Sequence, residues 1–294
     1  MKVVLLGGTG QLGREIIRIS DLDFHSIELV TLNRDILDLE NVNSIQKILQ
    51  PINFDVLVNC TGYHDVDIVE QNARTAFEVN AYAVKELALI CKNKNAWFIH
   101  FSTDYVFGGG IVSNIPLTET SKPAPINIYG ASKHMGESLA RSEFSEATIL
   151  RVASLFGLGG QSGNSSNFVE AILRLGNKGE EFKVVNDQTI SPTNTIDASN
   201  ALLNMISQGN HVDLLHVVNS GSTTRYEFAC EILRQAKLPE LAHPCKSSEF
   251  PTPAIRPSFS ALDNSRLRSM NFNIPTWQES LEHYLFERAR KLAD

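Results

Sequence analysis

The chain has 294 residues, of which 43% are hydrophobic and 20% charged, with no long block of one sign. That composition supports a sizeable core in one large or two unequal lobes and excludes gross disorder. The net charge of -7 argues against a nucleic-acid partner, which would favour a basic surface, while leaving room for a local basic pocket.

The first seven residues, Met1 to Gly7, hold an apolar run too short for a signal-peptide core. No stretch approaches the roughly 20 apolar residues of a membrane span. Cys60, Cys91, Cys230 and Cys245 show no metal-ligand spacing and read as scattered thiols of a reducing compartment. Together these features predict a cytoplasmic protein with no membrane partner.

Short apolar runs at Val3–Leu6, Ile27–Leu32, Val56–Cys60, Trp97–Phe101 and Thr148–Val152 read as strands. They are apolar almost throughout, as in a parallel sheet covered on both faces. Helical patterns lie between them at Gln11–Ile19, Val42–Leu49 and Ala81–Lys92. This alternation predicts an α/β fold, a doubly wound parallel sheet of Rossmann type with right-handed crossovers.

The pattern changes after about residue 155. Residues 157–163 form a glycine-rich loop, and Pro and Gly punctuate the remaining sequence. Strand candidates remain at Lys183–Val185 and Leu215–Val218. Helical patterns cover Phe168–Leu175, Asp197–Ile206, Arg225–Ala236 and Trp277–Lys291. The expected division is a dinucleotide-binding part over 1–155, rejoined by about 183–220. A smaller C-terminal α+β substrate lobe takes 156–182 and 221–294.

The turn after the first strand reads Gly7-Gly8-Thr9-Gly10-Gln11-Leu12-Gly13. Glycine permits the sharp turn and the close approach of a ligand. The following helix aims unpaired N–H groups and its positive dipole end at a pyrophosphate. The second strand ends at Leu32-Asn33-Arg34-Asp35. NAD enzymes place an acid there for the ribose hydroxyls. Arg34, with Asn33, instead suits a 2′-phosphate, which favours NADP(H); NAD(H) stays open, with Asp35 on the ribose.

Beyond the fourth strand, Ser102, Thr103, Asp104 and Tyr105 fall where doubly wound sheets present their ligands. Tyr129 and Lys133 lie four apart on a helix and so share a face. An amphipathic surface pair is the bland alternative. The chemical one is that reducing a ketone needs a hydride at carbon and a proton at oxygen. A phenol supplies the proton, and a nearby ammonium eases its loss. A hydroxyl such as Thr103 favours charge on the carbonyl oxygen.

At these residues the chain resembles the extended short-chain dehydrogenases/reductases, and within them the dTDP-4-dehydrorhamnose reductase family. The likeness includes the glycine turn and Asp55–Asn59 leading to Gly62-Tyr63 and Val66-Asp67. It continues through 100–107, 127–133, Asn186-Asp-Gln188, Ser191-Pro-Thr193, Pro251-Thr-Pro253 and Arg256-Pro257. The resemblance implies a catalytic trio of Thr103, Tyr129 and Lys133. It sets Gly10, Gln11 and Leu12 at the pyrophosphate, Asp38 and Leu39 by the adenine, and Gly62 and Tyr63 on the nicotinamide side. Thr103 and Asp104 would touch the sugar of a nucleotide-sugar substrate, and Arg256 would suit its diphosphate.

Two positions depart from the family. Ser154 stands where the family carries a Trp against the substrate. Ile196 stands where an acidic partner for Glu15 is expected in members that dimerise through magnesium, so no bound magnesium is predicted; a homodimer stays open. Two alternatives to a reductase are kept: another sugar-nucleotide epimerase or dehydratase, and a non-catalytic NADP-binding subunit resembling the regulatory β subunit of methionine adenosyltransferase. Against a dehydratase, Tyr105 follows Asp104 where the second acid of an Asp-Glu pair would stand.

Overall fold

Alternate residues of the first strand face two separate cores, and this sets the architecture. A computed structural model describes residues 1–109, 114–158 and 167–293, so part of the expected loop at 157–163 lies outside the described residues. Strand β1 (Lys2–Leu6) leads into α1 (Gln11–Asp23), then β2 (Glu28–Leu32), α2 (Val42–Leu49) and β3 (Val56–Asn59). Two short helices, α3 (Val66–Gln71) and α4 (Ala73–Phe77), run through a π-helical turn (Glu78–Tyr82) into α5 (Ala83–Lys94). Then come β4 (Trp97–Thr103), α6 (Ile128–Glu143) and β5 (Thr148–Val152).

Val3 and Leu5 pack with Ile16, Ile19, Ile99, Phe101 and Leu202, whereas Val4 and Leu6 pack with Ile45, Leu49, Leu87 and Phe98. All of these side chains are buried. Each contributes about 1.5–3 kcal/mol by leaving water, which holds helices against both faces of the sheet.

The later elements are β6 (Leu155–Phe156), α7 (Phe168–Lys178), β7 (Phe182–Val185), β8 (Thr189–Ile190), β9 (Thr193–Asn194) and α8 (Thr195–Gln208). They continue with β10 (Leu214–His216), β11 (Thr223–Thr224), α9 (Arg225–Gln235), β12 (Ala242–Cys245), α10 (Ser265–Ser269) and α11 (Trp277–Ala293). The main sheet has the order β10-β5-β4-β3-β1-β2, every neighbouring pair parallel. The chain steps from β1 outward to β2, then returns to the other side of β1 as β3. That reversal opens a crevice at the carboxyl ends of β1 and β3, where open α/β sheets take ligands.

A third core joins Phe156, Val169, Leu173, Phe228, Leu233, Trp277 and Tyr284. Strand β7 pairs with β12 and packs there, not on the main sheet. The return to the main sheet, expected from about residue 183, therefore begins at α8 and ends with β10. No helix among the described residues is long and apolar enough to cross a membrane.

Candidate active site

The turn from β1 to α1 is a tight backbone cradle. Gly7 has φ +85°, and a Cβ added there would lie 3.0 Å from the Cys60 carbonyl carbon just past β3. A Cβ on Gly13 would meet the Gly7 carbonyl oxygen at 2.2 Å. Helix and strand thus close on each other only because both positions lack a side chain. The Gln11 side-chain nitrogen is buried and has no hydrogen-bond partner among the described residues. A buried donor of this kind, at the start of a helix and beside a glycine turn, fits a dinucleotide's pyrophosphate.

Two adjoining cavities share Gly10, Cys60, Thr61, Gly62 and His64. The first, about 550 Å³, runs from Gly7 past Arg34, Asp38 and Leu39 to Tyr63. Its length along the carboxyl ends of β1, β2 and β3 suits the adenosine half of a dinucleotide. Arg34 is exposed, and its guanidinium pairs with Glu40 and, at 3.5 Å, with Asp38. Asn33 lines neither cavity; its carbonyl accepts from the N–H groups of Ile36 and Leu37.

The second cavity, about 370 Å³, brings Gln11 and Leu12 together with Ser102, Thr103, Asp104, Tyr129 and Lys133. Strand β4 delivers Ser102 and Thr103 at its carboxyl end. Helix α6 delivers Tyr129 and Lys133 one turn apart, and the Asn127 side chain caps it by accepting from the Gly130 N–H at 2.8 Å. The π-helical turn holds the floor: Asn80 accepts from the Tyr63 N–H at 2.8 Å and donates to Ser132 on α6 at 3.0 Å. Glu78–Tyr82 thereby locks the Gly62–Tyr63 segment to the helix that carries the tyrosine.

Burial pushes the Tyr129 hydroxyl above its ordinary range, against a hydrogen bond from Thr103. Burial pulls Lys133 down to about 8, against the attraction of Glu137. Asp104 is buried and raised to about 6 by loss of solvent, although Ser260 at 2.5 Å and Thr103 at 3.1 Å both donate to it. The tyrosine is therefore a neutral phenol at ordinary pH, able to give a proton, with the Lys133 amine one turn away.

Arg256 lies in a third cavity of about 800 Å³, not in the one that holds Tyr129. Asp67 takes its two terminal nitrogens at 3.2 and 2.8 Å, and Thr252 accepts at 2.6 Å. Sequence reasoning misses Arg225, which lines both the second and the third cavity. Its Nε donates to Gln188 at 2.9 Å, and its guanidinium lies 5.7 Å from the Phe168 ring centre. One sequence signal points to it: Thr224 and Glu227 form a capping box that marks Arg225 as the first residue of α9.

Ser154 lines the second cavity with φ +42°, a strained backbone for a non-glycine residue. Glu15 is held by Arg18, and Ile196 is a core residue. Among the described residues no group of three or more His, Cys, Asp or Glu could hold a metal.

Comparison with known proteins gives concordant results. Residues 1–290 match the family described as the RmlD substrate binding domain. The chain is 32% identical over 288 residues to the spore coat polysaccharide biosynthesis protein SpsK of Bacillus subtilis, covering 98% of each chain. A dTDP-4-dehydrorhamnose reductase structure from Clostridium acetobutylicum aligns with TM-score 0.89 and 33% identity, covering 98% of this chain and 100% of that one. The Bacillus anthracis dTDP-4-dehydrorhamnose reductase, solved in complex with NADP, gives 0.88 and 32%, covering 97% and 99%.

Proposed function

The chain belongs to the family described as the RmlD substrate binding domain, and from that premise we propose that it reduces the C4 ketone of a nucleotide-linked 4-keto-6-deoxy sugar. The substrate favoured is dTDP-4-dehydro-L-rhamnose, giving dTDP-L-rhamnose. The carrying observation is that Thr103, Tyr129 and Lys133 line one cavity with Gly10 and Gln11 of the glycine cradle.

A bound NADP(H) would supply the hydride. Gly7, Gly10, Gln11 and Leu12 would hold its pyrophosphate, Asp38 and Leu39 its adenosine end, and Gly62, Tyr63 and Ser102 the nicotinamide side. Arg34 is the residue that would prefer a 2′-phosphate. Tyr129 gives its phenolic proton to the ketone oxygen as the hydride arrives. Thr103 donates to that oxygen while charge builds on it. Lys133 would hold the nicotinamide ribose and compensate the charge left on Tyr129. Asp104 contacts the sugar.

Residues 1–155, completed by α8 and β10, would carry the cofactor, and the lobe built on α7, α9 and α11 would carry the nucleotide end. Arg225 and Arg256 face that part of the cleft, and a guanidinium fork suits a diphosphate. The test is NADPH oxidation by the purified protein on adding a small panel of 4-keto-6-deoxy sugar nucleotides. Turnover with a dTDP-linked member is expected. Absence of turnover with every member, together with altered kinetics of a partner enzyme, would favour the regulatory-subunit reading.

A further inference from the structure

A buried imidazole stands behind Lys133. His100 on β4 is fully enclosed, and its Nε2 lies 3.1 Å from the Lys133 Nζ. The same Nζ donates to the Phe101 carbonyl oxygen at 2.6 Å. On the other side of the ring, His100 Nδ1 lies 3.1 Å from the Asn59 side-chain nitrogen.

The orientation of Asn59 decides where the imidazole carries its hydrogen. Asn59 Oδ1 accepts from the Thr61 N–H at 3.0 Å and from the Thr61 hydroxyl at 2.5 Å. A backbone N–H can only donate, so the atom facing Thr61 is the carbonyl oxygen, and the amide NH₂ faces His100. That NH₂ has no acceptor capacity. His100 Nδ1 must therefore accept, and in a neutral imidazole the hydrogen then sits on Nε2. An Nε2–H pointing at Lys133 can donate only to an amine lone pair. An ammonium has none, so the observed contact belongs to a neutral Lys133.

We propose that Asn59 fixes His100 as a hydrogen-bond donor to the neutral amine of Lys133, so that Lys133 must gain a proton and leave His100 when it engages the cofactor. This rests on the cofactor reading under Proposed function, in which Lys133 holds the ribose. The proton comes from solvent through the cavity that Lys133 lines and forms the fourth bond at Nζ. An O–H bond of the donating water or hydronium breaks, its electron pair stays on that oxygen, and the hydrogen bond from His100 Nε2–H to Nζ is lost. His100 is then a positioning residue, acting through Lys133 and touching neither substrate nor cofactor.

The charges around the pair do not replace this linkage. Just past β3, Cys60 faces Lys133, and burial keeps its thiol protonated well above the usual range. On α6 itself Glu137 attracts Lys133, but Arg151 of β5 grips that carboxylate with two hydrogen bonds. On the other side His100 stacks on Phe98 at 6.2 Å. Burial pulls Lys133 down to about 8 and depresses His100 strongly. The lysine therefore titrates near neutral pH while the imidazole stays neutral.

Two measurements on the unaltered protein decide the matter. Nitrogen-15 chemical shifts of the histidine rings, without cofactor at roughly pH 9, should show His100 protonated at Nε2 and bare at Nδ1; the reverse assignment overturns the proposal. Calorimetric NADPH titration in two buffers of different ionisation enthalpy should show uptake approaching one proton per cofactor at about pH 9, falling toward zero at about pH 7. Cofactor phosphates, with a second pKa near 6, stay ionised across that window. Binding without uptake at the higher pH overturns this inference and leaves the cofactor site standing. No binding of NADPH would sink both. In Asn59→Asp the new carboxylate accepts from Nδ1–H, so the ring hydrogen should move to Nδ1. If that variant does not fold, the two readings on the unaltered protein still decide.

Discussion

Asp67 on α3 holds Arg256 by both terminal nitrogens, at 3.2 and 2.8 Å, and so ties the loop at 252–256 to the half of the molecule built on the main sheet. That hydrogen bond holds the Asp67 carboxyl below its ordinary value. Because Arg256 also borders the third cavity, the two roles separate by mutation. Arg256→Lys replaces a fork with a point charge and should raise KM for the sugar nucleotide about 10-fold, the equivalent of about 1.4 kcal/mol. Asp67→Asn frees the guanidinium without removing it and should leave KM within about 2-fold. Equal damage in steady-state kinetics of both variants would show that Arg256 serves only the loop.

On the proposed reading Arg34 would set cofactor choice, and its acidic partners would set how strongly. Its guanidinium must turn from Glu40 and Asp38 to meet a 2′-phosphate. The net gain is therefore smaller than a charged hydrogen bond usually gives, about 1–2 kcal/mol. Arg34→Ala should weaken NADPH about 5–30-fold by fluorescence titration, with NADH nearly unchanged. Glu40→Gln should tighten NADPH and not NADH. Parallel losses for both cofactors in Arg34→Ala would remove the proposed phosphate contact.

What is legible in the sequence depends on range. Val56–Asn59, Trp97–Phe101 and Thr148–Val152 announce themselves because each is buried on both faces and so is apolar at consecutive positions. The glycine turn and the four-residue spacing of Tyr129 and Lys133 are equally local. The Asp104–Ser260 and Arg256–Asp67 bonds join residues 156 and 189 positions apart, and no periodicity encodes such pairings. Nor does the sequence distinguish the π-helical turn at Glu78–Tyr82 from the helix that continues it, since both present similar apolar spacing. Strand β7 falls on a different sheet from the one expected for the same reason: its four residues specify a strand, and its partner β12 lies far along the chain.

The Glu137–Arg151 pair should be costly to break. Two hydrogen bonds of 2.8 and 2.6 Å join side chains that are both buried, with the Arg151 guanidinium 5.0 Å from the Phe107 ring centre. Glu137→Gln would leave a buried cation short of its partner, at about 3–5 kcal/mol. Chemical denaturation at neutral pH reads this directly, and a loss below about 1 kcal/mol would contradict it.

Acid should act on the same network. Burial alone raises Glu137, but its hydrogen bonds with Arg151 and His134 outweigh burial and hold it near 2, below its ordinary 4.5. Its contribution is present above 4.5 and is lost as pH falls toward 2. Burial, then Arg151, depress His216 from 6.5 to about 4, so its contribution is lost as pH falls from 6.5 to 4. Asp104, raised by burial to about 6, opposes them between 3.8 and 6. Thermal melts of the wild type and Glu137→Gln should therefore converge as pH falls from 4.5 toward 2. A gap that stays constant across that range would refute the linkage.

The proposed chemistry turns on Tyr129. Its phenol is neutral in the cofactor-free protein because burial holds its pKa above the ordinary value, and it shares a cavity with Thr103 and Lys133. Removing the hydroxyl in Tyr129→Phe takes away the proton donor while leaving the ring in place against Tyr105, 5.6 Å away. General acid catalysis contributes typically 10²–10⁴-fold, or about 3–5 kcal/mol of barrier. Single-turnover NADPH oxidation with saturating sugar nucleotide should fall by that factor. Cofactor affinity should stay within about 3-fold, because the phenol's proton is used only as the ketone is reduced. Lys133→Ala should damage both, since the proposed role of its ammonium is to serve the ribose and the phenol together. A Tyr129→Phe protein that kept near wild-type turnover would remove the proposed acid from the mechanism, and with it the reading of this cavity as the reduction site.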